Sequence, residues 1–487
     1  MNYLLALLSA ALFIAAFPDF NVAWLAPVAA APLLAACARE PRPRRRLLLG
    51  WICGVVYWFG VCYWIEAVLA NYAGVSGTVA WALFLLFCFI KALHMAVFAL
   101  AAGWLTRGWW AAPALAALWV VVEWSHNYLG FAWLPLGNAG IGMGLPLRLA
   151  PFTGVYGISF AFLMVSAVLA LALLRRPRAH LAWIFLLLPV AVLPRIPDER
   201  PGAVSAVLVQ PNISETEAWT PAFARRIRLD LLRLSREAAH AAPGAPAVVA
   251  WPEAPAPLYY FQDPGFQSQV NGLARELNTW LLLGIVAYTP DAKPLNSAVL
   301  VSPQGAAVTR YDKMNLVPFG EYVPWPFGSI TQSVSTEAGD FVPGNHLVVS
   351  RAGAHRIGTF ICYESVFPGF VRRFAAGGAE VLFNLSNDGY FGKSAARHQH
   401  LSIVRMRAVE NRRWILRATN DGITVAIDAA GRIRAALPPY TQGAARTAFD
   451  FESSTTPYTR LGDWFVFACM AAAAAGLAGS WRLSRGV

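Results

Sequence analysis

A succession of apolar runs fills the first 194 residues, and it constrains this chain more than any other feature. The runs fall at 3–17, 21–38, 47–66, 77–105, 109–125, 152–174 and 181–194, with one more at 463–481. About 20 apolar residues in a helix cross the ~30 Å of a bilayer's hydrocarbon. The pattern therefore predicts about eight transmembrane helices, with a polar segment of some length between the seventh and the eighth. Composition agrees: 57% of the 487 residues are hydrophobic and only 14% are charged, too apolar for a soluble chain. The first run lacks a basic leader and is followed at once by a second run, so it is expected to be a span and not a cleaved signal.

The net charge of +12 comes largely from arginine. Clusters at "REPRPRRR" (39–46), "RRPRAH" (175–180) and "RLSR" (482–485) each abut an apolar run. This is the pattern of cytoplasmic loops that carry an excess of positive charge, and no nucleic acid is expected as a partner. With the N-terminus inside, 18–20, 67–76 and 126–151 face outward and hold only Arg148 as a basic residue. The same rule puts 195–462 outside the cytoplasm. Lys91 and His94, three apart in one span, form one face that could line a cavity, whereas Glu66 and Glu123 lie near span ends. Five of the six cysteines sit in apolar runs as small hydrophobes, and no Cys/His spacing suggests a metal.

The intervening segment alternates strand and helix patterns. Strands are expected at 203–212, 245–254, 279–288, 356–364, 379–388, 414–421 and 423–433, with a hairpin over 297–313. Helices are expected over 221–241, where Phe223, Ile227, Leu231 and Leu234 recur at three- and four-residue spacing, and over 395–411. The alternation predicts sheets covered by helices. Three reactive groups stand at strand ends, where active sites gather: Glu253 after "VVAW", Lys313 in "RYDK" and Cys362 after "IGTFI". A carboxylate base, an ammonium to hold an oxyanion and a thiol nucleophile form a consistent catalytic set.

The wording around these residues carries a resemblance. "WPE" (251–253), "YDKMNLVPFGEYVP" (311–324) and "ICYES" (361–365) resemble the nitrilase superfamily of carbon–nitrogen hydrolases. With "SNDGYFG" (386–392) and the flanking spans, the whole chain resembles the apolipoprotein N-acyltransferase family. The resemblance implies an αββα sandwich at 198–460 on the outer face of a bacterial inner membrane, between spans at 1–197 and a last span at 461–487. It implies Glu253 as base, Lys313 as oxyanion partner and Cys362 as nucleophile. Glu321, Tyr363 and Glu364 would be supporting residues, and Trp219 and Tyr390 aromatic substrate contacts. Tyr390 stands where many members have Trp.

The implied reaction moves an acyl chain from a phospholipid, through a thioester, to the amine of a diacylglyceryl lipoprotein. No cofactor or metal is needed, and a monomer is expected. A membrane-tethered amidohydrolase would share the same triad and differ only in using water as acceptor. A transporter with an outer binding domain would show charges and helix breaks paired across its spans, a pattern not seen here beyond Lys91 and His94.

Overall fold

The computed structural model describes residues 1–72, 75–128, 131–214, 217, 220–253, 258–318, 320–322 and 341–485. The chain divides into two compact units. One comprises Met1–Ala70, Ser76–Ile196 and Leu461–Val487; the other comprises Asn71–Val75 and Pro197–Arg460.

The first unit is helical. Among the described residues, three helices are long and apolar enough to cross a membrane: Gly77–Leu105, Val155–Leu173 and Trp464–Arg482. A fourth span arises if Pro43–Val61 and Trp64–Tyr72, bent by 60° at their junction, count as one. The other four expected spans are shorter apolar segments, Asn2–Ala15, Ala23–Arg39, Ala111–Ser125 and Arg178–Val192. Their shortness has local causes. Ala23–Arg39 begins as a 3-10 turn containing Pro27 before the helix Ala31–Arg39, and Pro189 opens a new short helix within the last segment, since proline cannot donate to the preceding turn. The expected continuous helix over 181–194 is therefore three short pieces.

The longest helix shows what surrounds this unit. Leu86, Ile90, Leu93 and Val97, at helical spacing, are all exposed, whereas Phe84, Cys88, Lys91, Ala92 and Met95 are buried. An apolar outward stripe of this kind suits lipid. Lys91 is on the inward face, where its ammonium donates to His126 Nδ1 (3.1 Å) and to the Phe131 carbonyl (3.0 Å). His94 meets the His126 ring at 3.9 Å and lines a cavity of about 40 Å³ together with Glu123 and His126. Glu123 is held within the bundle by Ser159 Oγ (2.5 Å) and Trp119 Nε1 (3.2 Å).

Pro43–Val61 packs on Gly77–Leu105 through small residues, Gly50 and Gly54 facing Ala92, Ala96 and Ala99. Four-residue spacing of small side chains lets helix backbones approach closely in a membrane. A Cβ on Gly50 would lie 2.3 Å from the Met95 carbonyl oxygen.

Among the described residues, the second unit is built on two six-stranded sheets. The first has the order β12-β1-β2-β3-β4-β5 and the second β11-β10-β9-β8-β7-β6. The strands are β1 Val204–Gln210, β2 Val248–Ala250, β3 Trp280–Tyr288, β4 Pro294–Val301, β5 Ala307–Asp312, β6 Val349–Ala352, β7 His355–Ile361, β8 Val381–Ser386, β9 Ile415–Thr419, β10 Val425–Ile427, β11 Ile433–Ala436 and β12 Gly443–Phe449. Alternate side chains of β1 separate cleanly, as a period of two requires. Ala206 and Leu208 enter a core shared with Phe360, Leu382, Phe383 and Leu416 of the second sheet. Val207 and Val209 enter another core, made with Phe223, Ile227 and Leu231 of the helix Pro221–His240 and with Val270 and Leu273 of the helix Pro264–Leu277. On the far side of the second sheet lie the helices Pro368–Ala376 and Ala396–Asn411. The layers are those of an αββα sandwich.

Four expected strands are present within two residues at each end, the one over 245–254 is only Val248–Ala250, the one over 356–364 ends at Ile361, and three further differences are instructive. The expected strand over 423–433 is two strands, because Asp428 accepts hydrogen bonds from Ala430 N and Arg432 N (2.9 Å each) and turns the chain at Gly431. The helix Pro264–Leu277 was not among the expected helices, and Asp263 caps it through Phe266 N (2.9 Å) with Pro264 at its first position. Strand β12 was not foreseen, and it pairs antiparallel with β1 along seven residues.

Strand direction gathers the site. β2 runs parallel to β3, and β5 is antiparallel to β4, itself antiparallel to β3. Glu253 and Lys313 therefore follow strands that point the same way. In the other sheet β7, β8 and β9 are parallel, which brings Cys362, Asn387 and Asn420 to one end.

Gly50→Leu should lower stability in detergent by about 1–3 kcal/mol, the usual penalty for overpacking, read as a fall in the thermal unfolding midpoint. Gly77→Ala, with nothing within 4 Å of the new methyl, should leave the midpoint unchanged.

Candidate active site

At the end of β2 the chain leaves the sheet at Pro252 and presents Glu253, which is 7% exposed. Its Oε1 accepts from Asn296 Nδ2 (2.7 Å) and from Lys313 Nζ (3.0 Å), and its Oε2 accepts from Asn387 N (2.8 Å). Lys313, 1% exposed, follows β5 and reaches both Glu253 and Glu321. Glu321 Oε1 accepts from Lys313 Nζ (3.0 Å) and Asn296 Nδ2 (2.7 Å), and its Oε2 accepts from Val317 N (2.8 Å). Two carboxylates thus share one ammonium and one amide. Burial alone would lower the pKa of Lys313, but the charges of Glu253 and Glu321 outweigh it and hold the ammonium well above its ordinary value.

Cys362 lies where β7 gives way to a 3-10 turn, Cys362–Val366. Its φ of +49° is in the left-handed region that a side chain with a Cβ rarely adopts. Strain of this sort is held only where the surroundings over-determine it. Here Glu364 supplies the hold. It is wholly buried and accepts from Ile361 N (2.7 Å), Tyr311 Oη (2.7 Å), Met314 N (2.8 Å) and Asn315 N (3.2 Å). One carboxylate thereby ties the residue before the thiol to the loop just after Lys313. Burial pushes Glu364 up to about 7, against the pull of the Ile361 amide and the Tyr311 hydroxyl. Tyr363 is buried, its ring edge-on to Phe367 with centroids 5.3 Å apart.

The thiol of Cys362 is 8% exposed and feels Glu253, Lys313 and Asp388 electrostatically, with the Ser386 hydroxyl in hydrogen-bond reach. Burial and then the Glu253 charge push its pKa up, and Lys313 only partly offsets them. The thiol is therefore held as S–H at neutral pH, and an adjacent base has to take the proton as the sulfur attacks.

Of the expected site residues, the structure brings together Glu253, Lys313, Cys362, Glu321 and Glu364. Tyr390, 44% exposed, meets the ring of Tyr72 at 5.0 Å. Trp219 lies outside the described residues.

Several contributors were not foreseen. Asn296 on β4 bridges the two carboxylates. Asn387 and Asn420 link Glu253 to the strand ends of the second sheet: Asn420 Nδ2 donates to Asn387 Oδ1 (3.3 Å) and to the Ile213 carbonyl (2.8 Å). Beneath Cys362, Asp388 is wholly buried and accepts from Arg417 Nη2 at 2.7 and 2.8 Å. Burial would raise Asp388, yet the charge of Arg417 holds its carboxyl well below the usual carboxylate range. The available signal was an arginine inside an apolar strand, "ILRAT", because a buried charge requires a partner.

Because the thiol stays protonated, alkylation of Cys362 by iodoacetamide should be slower at pH 7 than that of free cysteine, whose pKa is ~8.5. The rate should still be rising at pH 9. A plateau at or below pH 8 would contradict this assignment. Lys313→Met, which leaves two buried carboxylates without their cation, should cost about 3–5 kcal/mol, measured by thermal unfolding.

The chain matches known proteins along most of its length. Residues 207–456 match the carbon–nitrogen hydrolase family model, and residues 9–168 match the apolipoprotein N-acyltransferase N-terminal domain. The apolipoprotein N-acyltransferase of Geobacter metallireducens is 36% identical over 97% of this chain and 94% of its own length. That of Pseudomonas syringae pv. tomato is 33% identical over 88% of this chain and 86% of its own. Among solved structures, an amidase from Nesterenkonia sp. aligns at 19% identity and a TM-score of 0.38, covering 52% of this chain and 93% of that one. This chain, an integral membrane protein with a carbon–nitrogen hydrolase unit, belongs to the apolipoprotein N-acyltransferase family.

Proposed function

We propose that this protein moves an acyl chain from a membrane glycerophospholipid to the N-terminal amine of a diacylglyceryl-cysteine on lipoproteins, by way of a thioester on Cys362. The observation that carries the reading is the buried Lys313 ammonium shared by Glu253 and Glu321 within electrostatic reach of a strained cysteine. The relatives' names give an apolipoprotein as acceptor of an acyl group; a phospholipid donor is part of this proposal, and a lipid donor suits a chain with a membrane unit. Residues 1–197 and 461–487 would be the spans, and 198–460 the catalytic domain, a monomer on the periplasmic side of the inner membrane.

In the first half-reaction Glu253 takes the Cys362 proton while the sulfur attacks the ester carbonyl. Lys313, which has three donors, and the Tyr363 backbone N–H receive the oxyanion. The S–C bond forms, the ester C–O bond breaks, and the proton passes from Glu253 to the departing lysophospholipid oxygen. In the second, the acceptor amine attacks the thioester, the N–C bond forms and the C–S bond breaks. A proton from the amine returns through Glu253 to the sulfur. Glu321 and Asn296 hold Lys313 and Glu253 in place, and Glu364 holds the nucleophile turn against the Lys313 loop. Tyr390 and Trp219 would meet the lipid chains, as aromatic rings at a bilayer surface do.

Purified protein incubated with phospholipid and digested without thiols should yield a peptide bearing one acyl mass on Cys362. Cys362→Ala should yield none. Glu253→Ala and Lys313→Ala should each lower the rate by roughly 10³-fold or more, given how such groups act as a unit. Acyl mass on another residue, or none in the wild type, would contradict the proposal.

A further inference from the structure

His400 lies in the helix Ala396–Asn411, is wholly buried, and takes no part in the steps above. Its Nε2 is 3.2 Å from the Cys362 carbonyl oxygen and 2.8 Å from Ser365 Oγ. Its Nδ1 is 3.1 Å from Asp388 Oδ1 and 3.2 Å from Arg417 Nη2. Asp388 already has its charge met by Arg417, and it also accepts from Ser386 Oγ (3.1 Å). Burial, reinforced by the charge of Arg417, lowers the pKa of His400 and keeps the ring neutral. In the tautomer that serves these neighbours, Nδ1 accepts from Arg417 and Nε2–H donates to the Cys362 carbonyl and to Ser365 Oγ.

The Cys362 carbonyl shares its peptide plane with the Tyr363 N–H. That bond is trans, so the plane is rigid and the two groups point in opposite directions. Whatever holds the carbonyl also aims the N–H.

We propose that His400 is a positioning residue for the oxyanion site: by holding the Cys362 carbonyl through Nε2, it directs the Tyr363 N–H toward the carbon under attack. This rests on the acyl-transfer reading above. Arg417 holds the ring from its other nitrogen and is itself held by Asp388, so a wholly buried chain, Asp388–Arg417–His400, reaches from β9 to the nucleophile turn. It also accounts for how Cys362 keeps its left-handed φ. Glu364 binds the amide before the residue, and His400 binds the carbonyl after it.

The test separates chemistry that builds an oxyanion from chemistry that does not. Alkylation of Cys362 by iodoacetamide displaces iodide from a saturated carbon and develops no oxyanion; acylation by phospholipid does. His400→Asn presents an amide nitrogen only at the Nδ1 place, whereas His400→Gln can reach the Nε2 place. The Asn variant should acylate roughly 10–100-fold more slowly, near the loss seen when one oxyanion donor is removed. Its alkylation rate at pH 9 should stay close to wild type even though the lost buried hydrogen bond lowers its unfolding midpoint, and the Gln variant should recover most of the acylation rate. The inference is overturned if the Asn variant acylates like wild type, if alkylation falls in step with acylation, or if Gln is as slow as Asn. A wild type that forms no thioester would instead overturn the acyl-transfer reading, and this inference with it.

Discussion

One buried ammonium between two carboxylates organises the rest of this site. Removing three charges from water is costly, and their attraction repays it only when the remaining donors and acceptors are also met. Here they are: Asn296 bridges both carboxylates, Val317 N and Asn387 N take one oxygen each, and Lys313 Nζ lies within about hydrogen-bond length of both. The cluster has one carboxylate more than it has cations. That surplus keeps the neighbouring thiol from ionising early, and it supplies a base at the moment the sulfur attacks. An apolar replacement would be easier to bury, so the arrangement makes sense as chemistry more than as stability.

The second sheet answers with its own constraint. Cys362 stands in a backbone conformation that costs energy, pinned on one side by Glu364 and on the other by His400. Glu364 spans both sheets, since it also binds Tyr311, Met314 and Asn315 beside Lys313. The separation of nucleophile and charge cluster is therefore set by hydrogen bonds to one carboxylate as well as by packing between sheets. This explains why a residue with no place in the bond-making steps sits wholly buried at the centre.

Much of this was legible in the chain itself. Glu253 and Cys362 each follow a run of apolar residues, in which β2 and β7 lie, and Lys313 follows the second arm of the expected hairpin, β5. The helix Pro221–His240 buries the Phe223, Ile227, Leu231 and Leu234 stripe that its spacing predicted. What was not legible depended on distant partners. β12 becomes a strand because β1 lies beside it, more than two hundred residues away in sequence. Arg417 inside the apolar strand "ILRAT" signals a buried partner, but Asp388 and His400 look unremarkable until the fold brings β8, β9 and a helix together. The short apolar segments of the membrane unit were blurred for another reason: prolines at 27 and 189 interrupt runs whose composition alone reads as continuous.

A thioester is open to water as well as to an amine, and the triad by itself does not choose between them. The most direct test is a single turnover of enzyme first acylated with labelled phospholipid and freed of donor, then mixed with a diacylglyceryl lipopeptide. The account expects label to leave Cys362 slowly in buffer and rapidly when the lipopeptide is added, with the label recovered as its amide. Loss of label as free fatty acid at the same rate with and without the lipopeptide would contradict it.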